Sequence, residues 1–333
     1  MSQADALAAI AEEYYQIGES ILDSFPKYRL PLDLFMLNEE VAQLLTYSRK
    51  DTRLSADQVE EIHKLCAEGN LFVSRRDHPI YSKHIVKQLD LVLVDQNLKE
   101  KEVADICISA LDLRLGDFFE QPVKPQFERL LSDVMVITEY LWTDLHRLRL
   151  FTNRLHKGDH SLIRHSINVF CIGLWLYVYP TNENLRRKDF DQAALALLLH
   201  DVGMSKVPAF ILSKTTPLKP EEKEKIPPHA ANGYKVLHKL DDGYDLMRQA
   251  TVEHHERLDG SGYPMHSTDI SSFGRLTAVA DAFSAMLQKR PYAEAKEALA
   301  AARELAEAKN RFDLAFSGKL LASLLNDSFG KVK

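Results

Sequence analysis

Histidines and carboxylates gather toward the C-terminal part of this 333-residue sequence, where ten of the thirteen histidines lie from His146 onward. Neutral imidazole and carboxylate are the ligand types that suit iron, manganese or zinc. Five histidines and two aspartates are more than one tetrahedral site uses, but they suit two metal ions about 3.5–4 Å apart, as in two-metal phosphoester hydrolysis. The candidate ligands are His165, His200, Asp201, His229, His254, His255 and Asp281.

Helices must position these side chains, because apolar residues recur every three or four positions in this part of the sequence. The pairs His200–Asp201 and His254–His255 lie just before Gly203 and Gly260, where predicted helices break. Adjacent residues of a continuous helix point about 100° apart. A break lets a pair face one centre, or two neighbouring metals with Asp201 between them. The predicted helices span 162–179, 188–202, 220–240, 243–256, 274–288 and 293–327.

An apolar stripe from Phe127 to Leu155 predicts one long helix. The stripe serves either core packing or a signalling or dimerising role between two domains. The predicted fold class is mainly α, with a C-terminal helical bundle and a smaller N-terminal α/β module joined by this helix. The predicted domains are a regulatory or sensor module over 1–125, a linker helix over 126–155 and a metal-dependent domain over 156–333.

The N-terminal module combines short apolar runs with amphipathic stretches, which together predict alternating strands and helices. Ser55 has the character of a helix N-cap. The predicted helices are Ala4–Phe25, Ser55 to about Gly69, and Tyr81 into Val94; the predicted strands are Leu30–Leu37, Val41–Tyr47 and Leu71–Ser74.

The composition, 45% hydrophobic and 27% charged, indicates a globular chain and argues against collagen-like, disordered or disulfide-scaffold proteins. Its three scattered cysteines fit reduced thiols. Net charge is −9 over residues 1–150 and +3 over the rest, too little positive charge for a duplex-binding protein. We expect a cytoplasmic protein, because no apolar run reaches the ~20 residues of a membrane span and the N-terminus lacks a basic signal region.

The region from His165 to Phe312 resembles the HD-GYP family, a branch of the HD superfamily of metal-dependent phosphohydrolases. The resemblance rests on His165, H-D-V-G at 200–203, Pro208 with Ile211–Leu212, His229, H-H-E-R-L-D-G-S-G-Y-P at 254–264, V-A-D at 279–281, R-P-Y at 290–292 and R-F-D at 311–313. It implies a helical bundle with a two- or three-metal centre, commonly iron. The implied activity is hydrolysis of cyclic dinucleotides, cyclic di-GMP above all, to pGpG or GMP.

The resemblance also implies a ligand assignment. His165, His200, Asp201 and Asp281 are expected to hold one divalent metal, and Asp201 is expected to bridge to a second metal held by His229, His254 and His255. Trinuclear members carry a glutamate where this sequence has Ser161, so we expect two ions, iron or alternatively manganese. The implied nucleophile is a hydroxide between the ions that attacks phosphorus.

The sequence departs from the family pattern at three positions near the expected substrate. Met204 replaces a phosphate-binding lysine, Ser284 replaces a second aspartate, and Ala293 replaces a residue that is often basic. Losing one charge-assisted contact costs roughly 1.5–3 kcal/mol, so we expect weakened turnover. Lys206 is the candidate replacement for the missing lysine. The expected catalytic residues are Asp201, Arg290 and Lys206; the expected substrate contacts are Arg290, Lys206, Tyr263, Gly260 and Gly262.

Three functions stay open at this point. The first is an active cyclic-dinucleotide phosphodiesterase. The second is a metal-containing receptor that binds cyclic di-GMP, or a signalling protein through the 254–264 loop, with little turnover. The third is an HD phosphohydrolase acting on another nucleotide. The 127–155 stripe additionally predicts a homodimer.

Overall fold

A computed structural model gives the fold of the chain, which is mainly helical with one small sheet, as the sequence predicts. The structure describes residues 10, 12–38, 43–78, 80–81, 89–95, 97–142, 144–155, 161–179, 185–212, 214, 216–240, 245–289 and 294–329. It divides into two compact units, residues 1–110 and 111–333. Within the described residues, no helix is both long enough and apolar enough to cross a membrane.

The first unit is built on a four-stranded antiparallel sheet with the strand order β1-β4-β2-β3. Ser55 caps the longest helix that lies wholly in this unit, through a capping box with Gln58, as predicted. The strands are β1 (Tyr14–Gln16), β2 (Leu34–Asn38), β3 (Gln43–Ser48) and β4 (Leu71–Ser74), and the helices are α1 (Glu19–Leu22), α2 (Ala56–Ala67), α3 (Leu89–Val94) and α4 (Glu100–Glu120), which runs into the second unit.

The helix predicted over Ala4–Phe25 is interrupted in the structure, where residues 10 and 12–13 are helical but the next residues are not. Tyr14–Gln16 forms β1 instead, and only Glu19–Leu22 is helical later in this stretch. Residue Tyr15 pairs with Val73 of β4, and the Tyr14 ring packs edge-on against Phe35 of β2. Pairing with a distant strand therefore overrides the local helical pattern.

The second unit is a helical bundle around one almost fully buried helix, α7, in which every residue from His165 to Leu176 is buried. Helices α8 and α13 pack directly against α7, and α12 packs against both of them. The helices of the bundle are α5 (Lys124–Leu141), α6 (Leu145–Thr152), α7 (Leu162–Val178), α8 (Arg187–Leu199), α9 (Ala209–Leu212), α10 (Pro220–Lys223), α11 (His229–Leu240), α12 (Asp245–Glu253), α13 (Ser272–Leu287), α14 (Ala298–Glu307) and α15 (Leu314–Leu325).

Three predicted helices are each two helices in the structure, and one of them, predicted over 220–240, is divided between α10 and α11. The 127–155 stripe is divided between α5 and α6, because Asp144 accepts hydrogen bonds from the His146 and Arg147 amides and starts a new helix. The 293–327 segment is divided between α14 and α15, where Asp313 accepts from the Ala315 amide in the same way. Local N-caps therefore interrupt a continuous apolar pattern.

Candidate metal centre

Six of the seven predicted ligands lie at or near the ends of bundle helices. The seventh, Asp281, lies in the middle of α13. His165 is in the first turn of α7 and His229 is the first residue of α11. His200 and Asp201 directly follow α8, and His254 and His255 directly follow α12. The structure brings these side chains together, and we call them the His/Asp cluster.

Asp201 lies at the centre of the His/Asp cluster, with its two oxygens facing different histidines. Oδ1 is 3.1 Å from His229 Nε2 and 3.6 Å from His254 Nε2. Oδ2 is 3.8 Å from His165 Nε2 and 3.7 Å from His200 Nε2. One carboxylate therefore adjoins two groups of imidazoles, which is the arrangement that a bridging ligand needs.

The potential ligand atoms form two groups that share Asp201. Each group brings its donor atoms within 4.8 Å of one another; one holds Asp201, His229, His254 and His255, and the other holds His165, His200 and Asp201. Asp281 adjoins both groups, because its Oδ1 is 3.0 Å from His165 Nε2 and its Oδ2 is 3.7 Å from His255 Nδ1.

In four rings, the outer nitrogen, Nδ1, makes a hydrogen bond on the side away from the cluster. This hydrogen bond orients the ring so that the inner nitrogen, Nε2, points at the cluster. Three Nδ1 atoms donate to main-chain carbonyls: His200 to Leu197, His229 to Ile226 and His254 to Ala250, at 2.7–2.8 Å. The fourth, His165 Nδ1, lies 3.0 Å from Ser284 Oγ. A carbonyl oxygen only accepts, so the three main-chain contacts fix the ring proton on Nδ1 of His200, His229 and His254 and leave their Nε2 lone pairs facing inward.

The pKa shifts of four cluster residues, His200, His255, Asp201 and Asp281, favour the protonation state that metal ligands require, and that of His229 runs the other way. Burial lowers the pKa of His200 to about 4 and holds the pKa of His255 well below its usual value. Burial opposes ionisation of Asp201 and Asp281, but the surrounding imidazoles lower both pKa values well below the usual range. Burial also acts against protonation of His229, yet the adjacent Asp201 raises its pKa overall.

A buried polar atom without a partner shows that the cluster fits a metal. His200 is fully buried, and in the described part of the chain its Nε2 has no hydrogen-bond partner. Leaving such an atom unpaired costs about 1–3 kcal/mol, which a coordinated cation removes. Imidazole and carboxylate donors together suit a divalent transition metal.

Two glycines permit the close backbone approaches that build the cluster. A Cβ at Gly203 would lie 1.9 Å from the His229 carbonyl oxygen, so only glycine lets the 3₁₀ turn Val202–Lys206 reach the start of α11. A Cβ at Gly262 would lie 2.4 Å from Glu256 Cα. Both glycines therefore shape the backbone beside ligands.

The loop after His255 is tied down by the buried Glu256 carboxylate, which accepts from the amides of Met265 and Ser267 at 2.6 and 3.0 Å. This places the Tyr263 ring 4.6 Å from the His255 ring, centroid to centroid. Tyr263 thus lies beside the cluster, and its predicted contact with substrate stays a prediction.

A cleft of about 270 Å³ opens over the cluster. Apolar side chains line much of it, together with Met204, Lys214 and Gln288. The described residues that line the cleft are Ser161, Leu162, His165, Asp201, Met204, Ile211, Leu212, Lys214, Thr216, Leu218, Ile226, His229, His255, Tyr263, Asp281 and Gln288.

The other predicted substrate residues lie elsewhere or outside the described residues. Lys206 ends the 3₁₀ turn with an exposed side chain, and it is not among the described residues that line the cleft. Gly260 and Gly262 are likewise absent from that lining. Arg290 and Ala293 lie outside the described residues, so their predicted roles stay predictions.

Sequence reasoning missed three residues near the cluster. Ser284 does not simply lack the family's carboxylate, because its hydroxyl lies within hydrogen-bonding distance of His165 Nδ1. Lys214 lines the cleft and pairs with Glu222. Gln288 is 1% exposed, and neither amide atom of its side chain has a hydrogen-bond partner in the described structure. It directly follows α13 with an extended backbone, so helical spacing from Asp281 does not by itself place it at the cleft.

Comparison with known proteins identifies the bundle. Residues 163–316, a little under half of the chain, match the family model of the HD domain. Over 162 residues, the chain is 37% identical to a cyclic di-GMP phosphodiesterase from Pseudomonas aeruginosa, covering 48% of this chain and 38% of that protein. It is 40% identical over 99 residues to 3'3'-cGAMP-specific phosphodiesterase 3 from Vibrio cholerae, covering 29% and 21%.

The fold as a whole has a solved counterpart. A HDG"Y"P protein from Bdellovibrio bacteriovorus superposes with a TM-score of 0.59 at 16% identity, covering 94% of this chain and all of that one. At this identity the likeness shows the fold alone. The chain covers well under half the length of the two curated relatives named above.

Proposed function

We propose that this chain is a metal-dependent phosphodiesterase that hydrolyses a cyclic dinucleotide. The observation that carries the proposal is Asp201, whose two oxygens adjoin separate groups of imidazoles at the base of an open cleft. The names of the relatives supply the substrate class. The donor set favours two divalent ions, with iron as the proposed metal and manganese as the alternative.

When bound, the two ions would supply an activated water and neutralise charge on the phosphate. The chain's own residues hold the remaining parts. Asp201 and Asp281 provide fixed negative charge between the imidazoles, and the main-chain carbonyls keep the rings of His200, His229 and His254 oriented. The Tyr263 ring, beside His255, bounds the cleft where a nucleotide would lie.

A substrate phosphate requires a cation, and Lys214 is the better candidate than Lys206. Lys214 lines the cleft and its side chain is 21% exposed, whereas Lys206 lies outside the lining. Lys214 pairs with the Glu222 carboxylate. We propose that Lys214 pairs with a substrate phosphodiester as well as with Glu222. Lys214 would then supply part of the phosphate contact that Met204 cannot make. We name Met204, Lys214 and Gln288 the substrate wall.

The test is anaerobic purification followed by metal analysis and a hydrolysis assay on the same sample. We expect about two iron or manganese ions per chain, consistent with the two-metal chemistry above. The metal-replete protein should convert cyclic di-GMP or 3'3'-cGAMP to a linear dinucleotide. Full metal occupancy without turnover of either compound would contradict the proposal.

Met204 favours a second candidate, a metal-containing receptor that binds the dinucleotide with little turnover, because thioether sulfur gives a phosphate no hydrogen bond. The variant Met204→Lys separates the two functions. A gain in kcat of about tenfold or more would mean that the wild-type chain is an enzyme with a weakened phosphate contact. Tight binding with no hydrolysis in either protein would mean a receptor.

A further inference from the structure

The backbone that carries His254 and His255 leaves α12 and turns within a few residues, so its carbonyls need partners other than helix amides. Main-chain amides further along the segment satisfy some of them. The Glu253 carbonyl accepts from the Glu256 amide at 2.9 Å, and the His255 carbonyl accepts from the Tyr263 amide at 3.2 Å. The carbonyls of His254 and Glu256 depend on a side chain instead.

That side chain is the half-buried guanidinium of Arg257. Its Nη1 donates to the His254 carbonyl at 3.0 Å and to the Glu256 carbonyl at 2.7 Å, so it holds the peptide groups on either side of His255. A hydrogen bond from a charged donor is roughly twice as strong as one between neutral groups. Arg257 is not among the described residues that line the cleft, so these bonds act on the backbone of two ligands and not on a substrate.

The R-F-D segment at 311–313 lies outside the His/Asp cluster, and it fixes Arg257 from the other side. The buried Phe312 ring lies 4.6 Å from Arg257 Cζ, measured from the ring centroid. A planar guanidinium stacks on an aromatic face in a way that an ammonium group cannot. The Arg311 carbonyl also accepts from the Leu258 amide at 3.2 Å, which ties the backbone after Arg257 to the same segment.

We propose that Arg257 is a positioning residue for the ligand group that contains His254 and His255, and that the R-F-D segment keeps its guanidinium in place. The other ligand group depends on Arg257 much less. Its His165 and His200 lie at the start of α7 and the end of α8, and the hydrogen bonds of Arg257 go to neither of them. The inference rests on the proposed function for the two-metal centre, but not on the reaction.

The experiment titrates the metal-free full chain with Mn²⁺ in a calorimeter and compares the wild type with Arg257→Met. We expect the wild type to bind two ions. In Arg257→Met, the affinity for one ion should fall about 10- to 100-fold, the range for an outer partner of a metal ligand, and the affinity for the other should change much less. Arg257→Lys keeps a charged donor but loses the stacking plane, so it should recover part of the lost affinity.

Ser284→Ala identifies which ion is affected, because the Ser284 hydroxyl lies 3.0 Å from Nδ1 of His165, in the other ligand group. The double variant with Arg257→Met should therefore bind both ions weakly. If the two substitutions weakened the same ion and left the second unchanged, the inference would be overturned.

Two further variants separate positioning from a general loss of packing. Phe312→Leu leaves Arg257 in the chain but removes its stacking partner, so it should weaken the same ion by a smaller factor. Arg187→Met is the matched control, because Arg187 is also half-buried and donates to a main-chain carbonyl, that of Met135, at 3.1 Å. It should bind both ions as the wild type does.

The failures of the two proposals are distinguishable, since one is measured by metal binding and the other by hydrolysis. Equal weakening of both ions in Arg257→Met, unchanged binding of both, or a wild type that binds fewer than two ions overturns the positioning role. A wild type that binds two ions without hydrolysing either cyclic dinucleotide overturns the phosphodiesterase. The positioning role is still supported in that case if Arg257→Met weakens one ion selectively.

Discussion

The His/Asp cluster and the substrate wall line the same cleft, but they are prepared for their ligands in opposite ways. In the cluster, four rings have their outer nitrogens held, and the inner nitrogens face two carboxylates. In the wall, Met204 offers no hydrogen bond to a phosphate, Lys214 is paired with Glu222, and Gln288 has no partner. The cluster is organised before any ligand arrives, whereas we propose that the wall forms its hydrogen bonds with the substrate.

The largest effect should come from the cluster's central carboxylate. Asp201→Asn keeps the shape but removes the negative charge and one strong oxygen donor from between two groups of imidazoles. We expect loss of bound metal and a fall in turnover beyond the roughly 10- to 100-fold typical of a ligand's outer partners. Metal analysis and kcat/KM measure both.

Asp191→Asn provides the control, because Asp191 pairs with Arg187 and does not line the cleft. It should keep its metal and its activity. If Asp201→Asn retained full metal occupancy, the picture of a shared central ligand would be wrong.

An intermediate effect should come from Ser284, the side-chain partner of His165. Ser284→Ala removes the hydroxyl that lies 3.0 Å from Nδ1, so the ring loses its fixed orientation. We expect metal affinity to fall about 10- to 100-fold, measured by competition with a chelator. The apparent KM for substrate at saturating metal should change much less.

Ser317→Ala is the matched variant, since Ser317 is also a buried helical serine but its hydroxyl bonds only to the Asp313 carbonyl. Equal effects of the two substitutions would indicate a general packing loss and not a role in positioning His165.

The smallest effect should distinguish the two lysines near the wall. Lys214→Met should raise KM about tenfold, the low end for a charge-assisted contact, because Glu222 already shares this cation. Lys206→Met should change KM by less than about twofold, as expected for an exposed side chain. Steady-state kinetics measure both KM values. A larger rise in KM for Lys206→Met than for Lys214→Met would indicate that Lys206 makes the phosphate contact.

Helices in both units could be predicted from sequence where periodic apolar residues and N-caps give local signals. Ser55 illustrates this, since its side chain and that of Gln58 form the predicted cap without help from distant residues. Strand β1 could not be predicted in this way. Its partner Val73 lies far along the sequence, and no local pattern at Tyr15 records that pairing.

The candidate site shows the same division. The order and residue types of the seven cluster residues were readable as a motif, and the structure brings them together. The sequence does not show which side chains line the cleft around them. The sequence alone does not distinguish Lys206 from Lys214. In the structure, Lys206 is exposed and Lys214 lines the cleft. The burial of Gln288 likewise depends on packing beyond its own helix.

The hydrogen bonds to the histidine rings also determine which of those rings mutation can adjust. Leu197, Ile226 and Ala250 hold their rings through main-chain oxygens, and no side-chain replacement at those positions deletes a main-chain oxygen. Among the rings whose outer nitrogen has such a partner in the described structure, His165 alone depends on a side chain, that of Ser284. Single substitutions that change the orientation of a ligand ring without replacing a ligand should therefore be found mainly beside α13, at the contact between Ser284 and His165.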